Sequence, residues 1–189
     1  MTAPNPPAPP QPALTQADLT QPSGTWPRLH QAQPWVSTAA RWVLAAVFIV
    51  AGVLKAADPQ TSVSAVRAYE LLPAWLVTPV GWGLPFAEIA LGLLLAAGVL
   101  TRALAVAAAA LLVTFLAGVG SAAARGLSID CGCFGGGGTV APDQTRYASE
   151  VVRDALLLLV ALWLVWRPRS RLALDRAPEP ADHEPEEAR

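Results

Sequence analysis

Two cysteines one residue apart, Cys131 and Cys133, are the residues of this 189-residue sequence best suited to chemistry. They stand in Asp130-Cys131-Gly132-Cys133-Phe134-Gly135, inside a loop over residues 125–147 whose glycines and proline deny it regular structure. In such a mobile loop a thiol can meet a partner. Thiol exchange needs an accessible sulfur, a thiolate at working pH and a second sulfur to resolve the mixed disulfide, and a Cys-x-Cys pair supplies the second sulfur. A bridge across one residue is a tight ring, and strained disulfides are the labile or oxidising ones. Gly132 accepts the positive φ that the reversal needs. A permanent staple would add little, because the entropy a disulfide removes from the unfolded chain grows with the loop it closes. Zinc within one chain would lack half its usual ligands, since His30 and His183 both lie in the polar ends. A metal shared between chains and a static bridge stay open beside redox exchange. The glycines at 135–138 are no phosphate loop, as no Gly-Lys-Ser/Thr follows them.

Glu88 is the second candidate. With a helix starting near Pro85 it falls in the first turn, where a carboxylate is favoured by the helix dipole. Alternatively it serves in proton handling, since an ionisable residue inside a span is costly and often belongs to a proton or substrate path. Lys55, Asp58, Glu88, Arg125, Asp130 and Arg153 all collect at the end that carries the sulfurs. Cations there would lower a thiol pKa, which makes Lys55 and Arg125 candidates for thiolate stabilisation. Arg153-Asp154 reads as an interfacial charge pair. Gly81, Gly92, Gly98, Gly118 and Gly120 read as close-packing positions between spans.

The elements that must position these residues are membrane helices. The sequence is 53% hydrophobic and 14% charged, with mean hydropathy +0.41, against roughly 25% charged in an ordinary soluble domain. Nine of the 18 prolines precede Trp35 and six of the 14 acids follow Leu174, so the middle is more apolar still. A net charge of −1 argues against nucleic-acid binding. Residues 1–34 form a Pro/Gln-rich tail predicted to be disordered, without the pattern of a signal peptide. Spans are predicted over 35–57, 76–100, 103–124 and 148–166, each long enough for a hydrocarbon core of about 30 Å. Asp58-Pro59 stops the first, with Arg41 and Lys55 placed to snorkel at its two ends. Residues 60–72 form a short interfacial piece. The second span has its main helix from Pro85 and a kinked lead-in over 75–84, and the fourth needs Glu150, Arg153 and Asp154 in its first turns to reach full length. Residues 35–168 thus form one all-α integral membrane domain, a four-helix bundle, and the acidic tail over 169–189 is predicted to be disordered.

Four spans put both ends on one side. That side carries Arg28, Arg41, Arg102, Arg167, Arg169 and Arg171, and the other carries Lys55, Arg67, Arg125, Arg146 and Arg153. The positive-inside rule makes the termini cytoplasmic and the cysteine loop extracytoplasmic in the cell membrane.

From Arg41 to about Trp166 the sequence resembles the methylamine utilisation protein MauE family, which belongs with the DoxX-like four-span membrane proteins. The resemblance is carried by Ala51-Gly52-Val53-Leu54-Lys55 with Asp58-Pro59, by Tyr69-Glu70-Leu71-Leu72-Pro73, and by Leu84-Pro85 with Glu88 and Gly92. Arg102, Phe115 and Arg125-Gly126 leading to Cys131-Gly132-Cys133-Phe134-Gly135 continue it. It implies a DoxX-like bundle working with a thioredoxin-like extracytoplasmic protein, as in maturation of the disulfide-rich small subunit of methylamine dehydrogenase. The expected role is a thiol-disulfide oxidoreductase component with Cys131 and Cys133 as the exchanging pair. No bound cofactor is expected. Electrons must still leave the pair, and with no haem ligands or flavin motif the acceptor is a membrane quinone or a second protein. The rival reading is a non-catalytic DoxX-type subunit of a quinol-oxidising assembly, in which the cysteines only shape a loop.

Overall fold

A computed structural model describes residues 26–168 together with Ala173, with side chains from Gln33 onward. Five α-helices and a two-stranded hairpin follow in the order α1 (Trp26–Ala57), α2 (Pro59–Ala68), α3 (Ala74–Ala97), α4 (Thr101–Ala124), β1 (Ile129–Asp130), β2 (Gly138–Thr139) and α5 (Tyr147–Trp166). Among the described residues, three stretches are long and apolar enough to cross a membrane: Gln33–Ala57, Ala74–Ala97 and Thr101–Ala124. The helix α5 has 20 residues but carries Glu150, Arg153 and Asp154 in its first half, and it is not among the three. The remainder of both predicted tails lies outside the described residues.

Several boundaries differ from expectation for local reasons. The first helix begins at Trp26, so residues 26–34, assigned to the tail, are helical and Pro34 lies inside. It stops where expected, because Asp58 caps α2 by accepting from Thr61 N–H at 3.1 Å, with Pro59 opening that helix. The expected break before Pro85 is absent: α3 runs unbroken from Ala74 with Pro79 and Pro85 inside it, and Pro73 stands at its N-cap. Proline tolerates this where packing holds the helix, although the carbonyl four residues earlier loses its donor. Glu88 therefore lies in the middle of a helix and caps nothing.

Neither cation of the first span snorkels. Arg41 is fully buried and donates from Nη1 to the carbonyls of Leu95 and Ala96, both at 2.9 Å. A cation there meets the negative end of α3, whose last carbonyls lack helical partners. Nearby, Ser37 donates to the Arg167 carbonyl at 2.8 Å and Trp163 donates to Ser37 at 3.3 Å. The part of α1 around Ser37 therefore adjoins the end of α5. Between these charged ends lies an apolar core of Leu44, Phe48, Leu95, Leu112 and Leu164, filled out by alanines.

The seam between α1 and α3 depends on two glycines. A Cβ on Gly52 would come within 2.7 Å of the Pro85 carbonyl oxygen, and one on Gly92 within 2.9 Å of the Ala45 carbonyl oxygen. Each lets the other helix's backbone approach, as small residues do in membrane bundles. Gly81 plays the same part against Val63, whereas Gly98 is a left-handed C-cap and Gly120 faces open space. Gly92→Val is expected to destabilise the fold by roughly 1–3 kcal/mol, while Gly120→Ala is neutral or stabilises by up to about 1 kcal/mol. Thermal unfolding of both variants in detergent micelles checks this, and equal melting temperatures would remove the seam argument.

Candidate functional site

The cysteine loop is a folded hairpin and not an irregular excursion. Ile129 pairs with Thr139 and Asp130 with Gly138, and the hairpin packs on α2. Tyr147, at the start of α5, fastens its base: the hydroxyl donates to the Leu127 carbonyl at 2.6 Å and accepts from Ile129 N–H at 3.2 Å. Asp130 accepts from Gly132 N–H at 2.9 Å, a turn that lets the chain reverse between the cysteines. Gly132 has φ 69°, and a Cβ there would strike Ala65, so only glycine fits between the two sulfurs.

This folding turns both cysteines inward. Each is 9% exposed, and both are free thiols. The accessible sulfur expected of a mobile loop is thus replaced by a buried pair with Sγ atoms 2.7 Å apart. The two share a proton. The Cys131 thiol donates to Cys133, which pulls the Cys133 pKa below the ordinary thiol value against its burial, with Arg153 and Lys55 adding positive potential. Cys131 is driven far above that value, first by this bond, then by burial and by the charge of its neighbour. Of the two sulfurs, Cys133 is therefore the more acidic.

Of the cations named from sequence, Lys55 reaches this site and Arg125 does not. Arg125 is exposed and donates to the carbonyls of Tyr69 and Ser121, which ties the end of α4 to the end of α2. Its expected place is taken by Arg153, whose Nη2 lies 3.9 Å from Cys131 Sγ and whose guanidinium sits 4.8 Å from the Phe134 ring centroid. Arg153 is paired with Asp154 at 2.8 Å. What reads in sequence as an interfacial charge pair is a wall of the cysteine site. The signal was the spacing Tyr147, Glu150, Arg153, Asp154, which places all four on one helical face.

Glu88 is completely buried and bound to Lys55 Nζ at 2.5 Å, and Lys55 lies 5.2 Å from the Phe115 ring centroid. Glu150 and Asp154, expected only as charges in the first turns of the fourth span, are also buried, and each has one carboxylate oxygen without a hydrogen-bond partner. A ligand atom of Glu150 lies within 4.8 Å of the Cys131 sulfur and of an Asp130 oxygen. Among the described residues this trio is the one grouping with metal-type ligands, and Arg153 beside it sets a fixed positive charge against any cation. Tyr69 closes the other side, its hydroxyl 3.5 Å from the Cys131 carbonyl. Burial and then the nearby sulfurs push its pKa up, so it stays a neutral phenol.

A helical membrane protein with a buried, proton-sharing dithiol at one end of its bundle is the class these features define. The family model for methylamine utilisation protein MauE matches residues 33–167, well over half of the chain. The chain therefore belongs to the MauE family, a membrane protein of the family associated with methylamine utilisation. No curated protein and no solved structure matches it.

Removing one partner of a buried ion pair strands the other charge, at a cost of about 3–5 kcal/mol. Lys55→Met is expected to destabilise by that order, and Lys55→Met with Glu88→Gln to recover most of the loss, read by thermal unfolding in detergent. The thiols give a separate test. The rate of iodoacetamide alkylation at Cys133 should rise with pH through an inflection below the ordinary thiol value and then stay flat. In Arg153→Gln that inflection should move upward, and an unshifted profile would exclude Arg153 from thiolate stabilisation.

Proposed function

We propose that this protein exchanges thiols and disulfides with a thioredoxin-like extracytoplasmic partner, as in maturation of a disulfide-rich client such as the small subunit of methylamine dehydrogenase. The observation that carries this reading is the hydrogen-bonded pair of Cys131 and Cys133 held against two cations and two underpartnered carboxylates. An inert surface loop has no need of that arrangement.

The Cys133 thiolate attacks one sulfur of a partner disulfide, forming a mixed disulfide and releasing a partner thiolate. Cys131 then loses its proton and attacks Cys133 Sγ, expelling the second partner thiolate and closing the intramolecular disulfide. Glu150, within 4.8 Å of the Cys131 sulfur, is placed to accept that proton, a role expected in sequence of Glu88, which instead is held by Lys55. In the reverse direction a reduced partner attacks Cys133 and Cys131 leaves as thiolate. Charge developing there meets Cys133 N–H at 3.3 Å and the Arg153 guanidinium. Both directions pass through one intermediate, the partner joined to Cys133.

The proposed setting is a DoxX-like bundle of four spans, with α5 as the fourth. It is long enough, at about 1.5 Å per residue, to reach across a bilayer core, and its far end adjoins α1 at Ser37. With α5 counted, both termini are cytoplasmic and the hairpin extracytoplasmic, where a disulfide persists. Cys131→Ser removes the resolving thiol and should accumulate a mixed disulfide on Cys133 in non-reducing gels of whole membranes. Cys133→Ser should accumulate far less. Were neither variant to trap a partner while client disulfides still formed, the exchange role would be wrong.

A further inference from the structure

The sulfurs that face away from water face a cavity. It has a volume of about 230 Å3, stands half open, and lies between α2, the first half of α3, the second half of α4 and the cysteine turn. Its walls are apolar, chiefly Leu72, Leu84, Leu111 and Phe115, and both cysteines line it. Lys55 and Tyr69 bring an ammonium and a phenol to the same space. At its mouth Leu71 and Leu72 are exposed. We propose that this cavity takes the ring of a membrane quinone and that the Cys131–Cys133 dithiol is oxidised there, an inference that rests on the thiol-exchange reading above.

The chemistry of the walls selects this occupant. A dithiol that returns to a disulfide gives up two electrons and two protons, so its acceptor must take both. A quinone does, and its flat apolar ring suits walls of leucine and phenylalanine. Its carbonyl oxygens need donors, which an acyl chain does not, and Lys55 Nζ and the Tyr69 hydroxyl line the cavity as donors. A volume this small holds a substituted ring and not a complete prenyl tail, which would leave through the open side past Leu71 and Leu72 into lipid. A second protein cannot enter such a space.

In the balanced step the Cys133 thiolate and the Cys131 thiol form one S–S bond, and the quinone gains two electrons. Its two carbonyls become hydroxyls with the proton of Cys131 and the proton given up earlier by Cys133, the latter held at neighbouring carboxylates such as Glu150. Partner and quinone then use opposite sides of one pair of sulfurs: the partner comes from the hairpin side and the quinone from within the bundle.

The test uses the purified full chain in phospholipid nanodiscs. Reduced protein mixed with ubiquinone-1 should form ubiquinol-1 in step with the loss of both thiols, and Cys131→Ser should form none. Leu84→Trp and Leu72→Trp, which place an indole in the ring site or at its mouth, should slow quinol formation by roughly tenfold or more while melting temperatures stay near that of the parent. In a parallel arm without quinone, oxidised protein is mixed with reduced thioredoxin. If thioredoxin is oxidised there but ubiquinone-1 is not reduced, or is reduced equally well by both tryptophan variants, the quinone site is wrong and the exchange reading stands. If the thioredoxin arm also fails, the exchange reading itself has failed. Organic extracts of the purified protein that contain phospholipid and no quinone would likewise assign the cavity to an acyl chain.

Discussion

A charge inside an apolar bundle must find its opposite, and the pair formed by Lys55 and Glu88 is where this protein meets that demand. The carboxylate is fully buried and the ammonium nearly so, 2.5 Å apart. Either alone would cost several kcal/mol in such surroundings, so the pair fixes how far α1 and α3 slide past one another. That register brings Gly52 against the Pro85 carbonyl and Gly92 against that of Ala45, and it leaves Lys55 beside the sulfurs. At the other end of the bundle Arg41 meets the same demand by binding the last carbonyls of α3.

The cysteine site is a second answer to the same constraint. Asp154, Glu150 and Cys133 are withdrawn from water and Arg153 is half-buried beside them, and each reduces the cost of another. Because the group is mutually compensating, a change of charge at one member is felt at the rest. A thiol pair set in such a network can gain and lose protons without leaving a bare charge behind. An isolated Cys-x-Cys in a solvated loop would have neither the depressed thiol nor the nearby proton acceptors.

Much of this was legible in the sequence. The apolar runs mark three membrane-crossing stretches within a few residues of their ends, Asp58-Pro59 marks the stop of the first, and the motif residues mark the family. The differences share one cause. Local propensity places Pro85 in the first turn of a helix, whereas tertiary packing carries α3 straight through it. A lone cation prefers water, which by sequence puts Arg41 and Lys55 at the interface, yet each has a partner supplied by α3, far away in sequence. Arg125 and Arg153 lie at the same end by sequence, and it is the fold of the hairpin on α5 that brings Arg153 to the sulfurs and leaves Arg125 on the carbonyls of Tyr69 and Ser121.

By itself, then, the sequence determined the solvent: composition and run length commit this chain to a bilayer, and Cys131-Gly132-Cys133 commits it to a paired thiol. Whether that pair faced outward or inward could not be read from spacing. It was decided by contacts between residues remote in sequence, with Tyr147 fastening the base of the hairpin, Ala65 packed against Gly132, and Arg153 drawn to the sulfurs. Burial is a property of what surrounds a residue, and for a short polar loop the surroundings come from other helices. Periodicity and hydropathy can therefore name the pair, and only the packed bundle gives it a shared hydrogen bond, buried carboxylate neighbours and an apolar chamber.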